Sequence, residues 1–366
     1  MVGFGINMKD ENQIVHSVII PTRNEEDYIE ECINSLLNYC NDPWVLETTE
    51  FIIVDGKSED RTINIVKEKF NYLTLKIFDN PNLYQSFAMN IGIKNSNSSS
   101  NNGFGQIIIR ADAHSIYPKD YIKKCQKQLK NGDGNIGNVG SIQKAVGTNI
   151  LTKTVASVMN SGYAMGGVKY RTRDFKEDYI VADTAYLGCW KKADLVKLGG
   201  FNEKFQINED YELNIRIRKF SNNSDSSQNK IIIVSKDLEV SYYVRNTFSG
   251  LIKQFFRYGL WKTKTLSIHP DSLRKRQLAP VLFVLFLFVL ILASTILPST
   301  YFRVLMSLAI IGGLFWARII IFPIWSKSSN KIINLLLIPL VVLSIHISWG
   351  LGFIFGLFKW TIGGWR

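Results

Sequence analysis

Acidic residues are missing from the last 95 positions of this sequence: none of the 31 lies beyond Asp271. No two of the four cysteines, Cys32, Cys40, Cys125 and Cys189, stand in a CxxC spacing. That argues against a zinc ribbon or a disulfide scaffold, and the thiols read as reduced packing residues. Proline is scarce, with 9 in 366 residues, and hydrophobic residues make up 46% against 20% charged. A disordered or collagen-like chain is excluded on those proportions. The net charge of +12 is unevenly placed. Residues 1–271 carry 34 basic against 31 acidic side chains, and the last 95 carry nine basic side chains and no acid. A nucleic-acid binder would spread basic charge over a folded face, so none is expected as a partner. Met1–His16 is polar and contains acids, with no apolar core, so no signal peptide is expected there.

Long hydrophobic runs are present in the tail. No charged residue stands between Arg276 and Arg303, and Leu278–Leu297 is almost wholly apolar. Twenty such residues rise about 30 Å, the thickness of a bilayer core. Arg303 to Ile324 is a second run, interrupted by Arg318, which would have to snorkel or face other helices. Ile332–Phe358 is a third, glycine-rich toward its end. The expectation is three membrane passages, with in-plane or re-entrant packing of one of them as the competitor. Arg274, Lys275 and Arg276 precede the first run, and basic flanks stay cytoplasmic. The expected location is therefore a cell membrane, multi-pass, with the N-terminal domain cytosolic. Lys327 and Lys331 agree with a return to the cytosol between the second and third runs, and an odd number of passages would put Arg366 outside.

Upstream, strand and helix signals alternate. Apolar runs at Ser17–Pro21, Glu50–Val54, Leu73–Phe78 and Gln106–Ile109 read as buried strands. Between them, Glu26–Tyr39, the segment after Ser58-Glu59-Asp60, and Gln85–Ile93 read as helices. This alternation predicts an α/β doubly wound, mostly parallel sheet, whose ligands bind at the carboxyl ends of the strands. The polar stretches Asn95–Asn102 and Ser221–Asn229 read as solvated insertions. The expected domains are 1–245, an amphipathic interfacial helix and basic linker over 246–276, and a membrane region over 277–366.

Three strand ends carry polar clusters: Pro21-Thr22-Arg23-Asn24-Glu25, Asp55-Gly56-Lys57-Ser58 and Arg110-Ala111-Asp112-Ala113-His114. One acid at a strand end is commonly a turn or a helix cap; three clusters make a pocket. A carboxylate and an imidazole two residues apart suit Mn²⁺, and Mg²⁺ less well, with substrate phosphate completing the shell. A turn histidine beside Tyr117-Pro118 is the plainer alternative for His114.

The segments SVIIPTRNEE, IIVDGKSEDRT, IIIRADAHSIYP, GGFNEKF with NEDYELNIRIRK, and QFFRYGLWK resemble, in this order, the motifs of family 2 glycosyltransferases, which have the GT-A fold. The resemblance covers residues 15 to about 265. It is nearest to membrane-bound enzymes similar to succinoglycan-type exopolysaccharide glycosyltransferases, which also carry D-x-H for D-x-D. It implies transfer of a single sugar from a nucleotide sugar, with a UDP-sugar expected, to a lipid-linked hydroxyl acceptor, inverting the anomeric centre. Pro21, Thr22, Glu25 and Asp55 would hold the donor nucleoside. Asp112 and His114 would bind Mn²⁺ or Mg²⁺ on its diphosphate. Asp210, in Asn208-Glu209-Asp210, would be the catalytic base; without the resemblance, Glu209-Asp210 reads as an acid pair opposing a helix dipole. Gln254 and Arg257, a helical turn apart, match the Q-x-x-R-W signature, and Arg257 would pair with the diphosphate. They lie in a basic amphipathic stretch suited to the membrane interface.

Two positions depart from the family pattern. Met89 stands where an arginine precedes Asn90-Ile91-Gly92, leaving Arg110 or Lys57 to replace that diphosphate contact. Tyr258 replaces the signature tryptophan, which argues against a processive polymerase. The alternatives are a polyprenyl-phosphate glycosyl synthase, whose phosphate acceptor has little need of a base, and a non-catalytic membrane protein that binds nucleotide sugar.

Overall fold

The structure, a computed structural model, describes residues 14–38, 40–97, 106–132, 134–171, 175–220, 229–328 and 330–362. Most of the stretch 95–102, all but Asn229 of 221–229, and Arg366 lie outside these residues. The chain begins β1 (His16–Thr22), α1 (Ile29–Asn38), α2 (Pro43–Glu47), β2 (Thr49–Asp55), α3 (Thr62–Lys69), β3 (Leu75–Asp79), α4 (Gln85–Asn95) and β4 (Ile107–Arg110). It continues with β5 (Ser115–Ile116), α5 (Tyr121–Asn131), β6 (Ile136–Val146), α6 (Ile150–Asn160), β7 (Tyr179–Ala182), β8 (Tyr186–Lys191), α7 (Lys192–Lys197), α8 (Glu209–Arg218) and β9 (Ile231–Tyr243). Helices follow: α9 (Phe248–Ile268), α10 (Leu278–Ile296), α11 (Ser299–Trp316), α12 (Phe322–Ser326) and α13 (Lys331–Leu357).

The strands form one mixed sheet in the order β3-β2-β1-β4-β8-β6-β9-β5, with β7 on β9. The first four pair in parallel, as the alternating signals predict. The other strands join antiparallel, beyond the reach of that reading. Val18, Ile19, Ile20, Ile52, Ile53, Ile108 and Ile109 have no exposed surface, because parallel strands covered on both faces must be apolar on both. Helix α4 lies so close to β1 that a β-carbon at Gly92 would reach within 2.5 Å of Ile19. Helix α1 begins three residues later than its acids suggest, since Glu25 accepts the Tyr28 and Ile29 amides and lies outside the helix.

Two compact units result. The first comprises Met1–Gln143 and Arg173–Tyr242; the second comprises Lys144–Thr172 and Tyr243–Arg366. The second break falls close to residue 245, while the segment 144–172, with α6, groups with the C-terminal helices. Three helical stretches in the second unit are long and apolar enough to cross a membrane: Lys275–Ile296, Ser299–Ser326 and Lys331–Trp360.

Candidate active site

The register of the parallel strands sets the site. Thr22 of β1 stands opposite Asp55 of β2, and its hydroxyl donates to Asp55 Oδ1 at 3.2 Å. Asp55 also accepts the Ser58 amide at 2.9 Å and the Ser58 hydroxyl at 2.6 Å. Its carboxylate thus folds the 56–58 turn over the end of β2. Asn24 and Lys57, both with positive φ, turn the two loops toward each other. The Asn24 amide donates to Ser58 Oγ, and the Glu59 amide to Asn24 Oδ1, each at 2.9 Å. Three hydrogen bonds so tie Pro21–Glu25 to the Asp55 turn, giving a rigid rim rather than two free loops.

The end of β4 is the electrostatic centre. Arg110 is buried and divides its guanidinium between two carboxylates. Nε donates to Asp112 Oδ1 at 3.1 Å, and Nη1 to Glu209 Oε1 at 3.2 Å. Gln85 Nε2, from the first turn of α4, also donates to Asp112 Oδ1 at 3.1 Å. The Asp112 amide donates to the Tyr117 hydroxyl at 2.7 Å. Burial works against the Arg110 charge, but Asp112, Glu209 and Asp210 outweigh it and hold the pKa above its ordinary value.

Glu209 and Asp210 open α8, where Asn208 has φ 65° and reverses the chain into the helix. Acids in a first helical turn oppose the macrodipole, so the structural role holds here alongside any chemical one. Burial, then the neighbouring Asp210, pushes the Glu209 carboxyl up to about 7, with Arg110 opposing. Burial also raises Asp210, again opposed by Arg110, and the Tyr211 amide donates to its Oδ1 at 2.6 Å. The two acids titrate as a pair, and both are raised toward the range a general base needs.

His114 is turned toward Glu25: Nδ1 and Glu25 Oε1 lie 3.1 Å apart, and the ring packs on Tyr242 at a centroid distance of 5.5 Å. Glu25, expected at the nucleoside, thus holds a histidine. A carboxylate on one imidazole nitrogen fixes the tautomer that presents the other to a cation. The donor set therefore fits a divalent ion held by Asp112 and His114. Among the described residues no cluster of three or more His, Cys, Asp or Glu is assembled for a metal. Any such ion would depend on ligand oxygens from a bound diphosphate.

Of the expected residues, the structure brings together Thr22 with Asp55, Glu25 with His114, and Arg110 with Asp112. Gln254 and Arg257 lie on α9 in the second unit, where Gln254 Nε2 donates to the Tyr258 hydroxyl at 2.9 Å. Met89 is wholly buried in the core and presents nothing to a ligand. Its neighbour Asn90 instead pins the Gly-Gly-Phe loop, accepting the Phe201 amide and donating to the Phe201 carbonyl, both at 2.8 Å.

Sequence reasoning missed Gln85, Tyr186 and the part played by Glu209. Tyr186 donates to Asp112 Oδ2 at 3.4 Å and lies 2.9 Å from the Ser115 hydroxyl. It precedes Leu187, whose φ of 57° is rare for a bulky residue. The register shift of β6 against β8 begins there, so the strained backbone aims Tyr186 at the site. No local pattern announces that bulge. Glu209 had a signal, because its neighbour was already a candidate.

Residues 17–190 match the profile of the family described as Glycosyl transferase family 2. A dolichyl N-acetyl-alpha-D-glucosaminyl phosphate 3-beta-D-2,3-diacetamido-2,3-dideoxy-beta-D-glucuronosyltransferase of Methanococcus voltae is 29% identical over 254 residues, 67% of this chain and 72% of that protein. The succinoglycan biosynthesis protein ExoA of Rhizobium meliloti is 29% identical over 269 residues, 72% of this chain and 74% of its own. A mannosyltransferase from Pyrobaculum calidifontis, solved in complex with GDP-Man and Mn²⁺, superposes with a TM-score of 0.61 at 16% identity. The alignment covers 94% of this chain and 87% of that one. The fold is GT-A-like.

Proposed function

The chain is a glycosyltransferase carrying a family 2 domain, and we propose that it moves one sugar from a nucleotide-sugar donor to a hydroxyl of a lipid-linked acceptor at a membrane. The carrying observation is the Arg110 fork, which joins Asp112 to Glu209 and so links the donor end of the site to the acid pair that includes Asp210. Asp210 takes the proton from the acceptor hydroxyl as that oxygen attacks the anomeric carbon. The carbon–oxygen bond to the diphosphate breaks, and the centre inverts. Glu209 and Arg110 set the charge around Asp210. Pro21, Thr22 and Asp55 bind the donor nucleoside, with UDP the form to test first, and Glu25 orients His114. Asp112 and His114 would hold Mn²⁺ or Mg²⁺, which when bound would supply positive charge beside the leaving diphosphate.

The acceptor class is supported by the Methanococcus voltae relative, whose name contains a dolichyl phosphate-linked sugar. That favours a sugar hydroxyl over a bare polyprenyl phosphate, as do the raised acids at Glu209 and Asp210. The three apolar helices support a membrane protein, and Arg274, Lys275 and Arg276 ahead of the first support a cytosolic catalytic domain. The test is transfer from a panel of nucleotide sugars to lipid extract in membrane fractions, with Mn²⁺ or with chelator. Metal-dependent transfer to lipid is the expected result. Transfer that is indifferent to chelator would overturn the metal assignment, and donor binding without turnover would favour the non-catalytic alternative.

A further inference from the structure

Helix α13 has two unlike faces. Asn334, Ile338, Val341, Ile345, Ser348, Gly352 and Gly356 are buried, at spacings of three and four. On the opposite side Ile332, Leu336, Leu340, Leu351, Phe355 and Phe358 are exposed, all large and apolar. The buried stripe runs from Asn334 to Gly356, about 33 Å at 1.5 Å per residue, as long as a bilayer core is thick.

Two elements cover that stripe. Helix α9 packs on its C-terminal half, backbone against backbone. A β-carbon at Gly352 would collide with the Phe256 carbonyl oxygen, one at Gly259 with the Trp349 carbonyl oxygen, and one at Gly356 with the Thr263 hydroxyl. Trp360 Nε1 donates to the Leu260 carbonyl at 3.2 Å, and Lys264 Nζ lies 4.8 Å from the Trp360 ring centre. The N-terminal half meets α6, where the Thr154 hydroxyl donates to Asn334 Oδ1 at 2.7 Å. Beyond α6 the backbone of Ala164 faces His346. Neither cover belongs in hydrocarbon. Helix α9 exposes Lys253 and Arg257, and α6 exposes Lys153. The segment 161–168 is irregular, with Gly162, Gly166 and Gly167 at positive φ. Irregular backbone is not tolerated against lipid, and exposed cations at bilayer depth are costly.

A third contact agrees. Gly350, in the C-terminal third of α13, packs on Pro280 and Val284 of α10. Val281 and Val284, the fully buried residues of α10, lie in its first two turns. Those turns follow directly on Arg274, Lys275 and Arg276, where the helix would enter the membrane, and Gly166 abuts the Arg276 side chain there. A helix crossing the bilayer beside α10 would meet it near its middle.

We propose that α13 does not cross the membrane but lies in its surface plane, with the Ile332–Phe358 stripe in the lipid and the Asn334–Gly356 stripe roofed by α6 and α9. Lys331 and Lys359 then stand on the same side as α9, and two passages remain, Lys275–Ile296 and Ser299–Ser326. This rests on the membrane reading of the helices and not on the chemistry of the site.

The test is the accessibility of single cysteines in full-length protein, in a Cys40→Ala background, to a membrane-impermeant maleimide applied to right-side-out and inside-out vesicles. Lys127→Cys, exposed on α5, marks the catalytic side, and Ser299→Cys marks the far end of the first passage. Lys331→Cys and Lys359→Cys should both label with Lys127→Cys. Labelling of those two from opposite faces would overturn the proposal. Sugar transfer measured in the same vesicles reports on the enzymatic reading separately. Should those variants fail to insert, bimane on Leu336→Cys, Ile347→Cys and Phe355→Cys, quenched by brominated lipids, gives depth directly. Equal depths support the in-plane helix; Ile347→Cys more than about 10 Å deeper than both ends would overturn it.

Discussion

Arg110 Nη1 donates to Glu209 Oε1 at 3.2 Å, a bond between residues 99 positions apart that fastens the start of α8 to the end of β4. Both side chains are buried, and the same guanidinium holds Asp112. Removing it strands two buried carboxylates without their cation. Arg110→Met should therefore destabilise the domain by about 3–5 kcal/mol and raise the pKa of Glu209 further. Thermal unfolding checks the first effect. An unchanged melting temperature would mean the fork contributes nothing to the fold.

Glu209 also sets a pH dependence. Its folded pKa of about 7 lies above the ordinary 4.5. Protonated Glu209 thus favours the folded state; that contribution is full below about 4.5 and is lost as pH rises through about 7. For activity the sign is opposite, because the acid pair must lose its proton before Asp210 can accept one. The acid limb of kcat/KM should fall near pH 7 and move to lower pH in Glu209→Gln, which removes a neighbouring negative charge from Asp210. An acid limb that stays in place separates Glu209 from the base.

Glu25 is predicted to act through His114. If its carboxylate orients the imidazole, Glu25→Gln should weaken Mn²⁺ retention in the donor complex by about 10–100-fold. Calorimetric titration of Mn²⁺ in the presence of UDP measures this. If Glu25 serves only the nucleoside, UDP affinity without metal should fall and the Mn²⁺ constant should not. His114→Asp should keep activity and shift its optimum from Mn²⁺ toward Mg²⁺.

The parallel half of the sheet was legible because its strands are continuous apolar runs, and three of them end in polar clusters at the carboxyl edge. Thr22, Asp55, Arg110 and Asp112 could be named for the same reason, and Asp210 only through the resemblance to the family. The antiparallel half was not, since β8 carries its bulge at Leu187 on no local pattern, and Tyr186 reaches Asp112 from 74 positions away. Gln85 starts a helix and looks like any polar first-turn residue. Pairings such as Glu25 with His114, 89 apart, depend on which loops the register brings together. Hydropathy marked α13 as apolar, but its roof of α6 and α9 is a tertiary fact, invisible in composition.

Close packing of α9 on α13 makes a further prediction. At Gly352 a β-carbon meets the Phe256 backbone; at Gly312 of α11 nothing lies within 4 Å. Gly352→Ala should cost roughly 1–3 kcal/mol, as overpacking does. Gly312→Ala should be neutral or slightly stabilising through helix propensity. Unfolding of the detergent-solubilised protein compares them, and equal behaviour would contradict the packing described for α9 and α13.

The most direct test of the catalytic account is Asp210→Asn, with donor affinity and turnover measured on the same preparation. Asparagine keeps the size of the side chain and an oxygen that can accept the Tyr211 amide, yet it cannot remove a proton. The variant should fold, insert and bind UDP as the wild type does, while kcat falls by roughly 10²–10⁴, the usual contribution of a general base. Were Asp210 only an acid at a helix start, stability would fall by no more than about 1 kcal/mol and turnover would hardly move. A wild-type kcat in Asp210→Asn would contradict the assignment of the base, and with it transfer to a hydroxyl by this site.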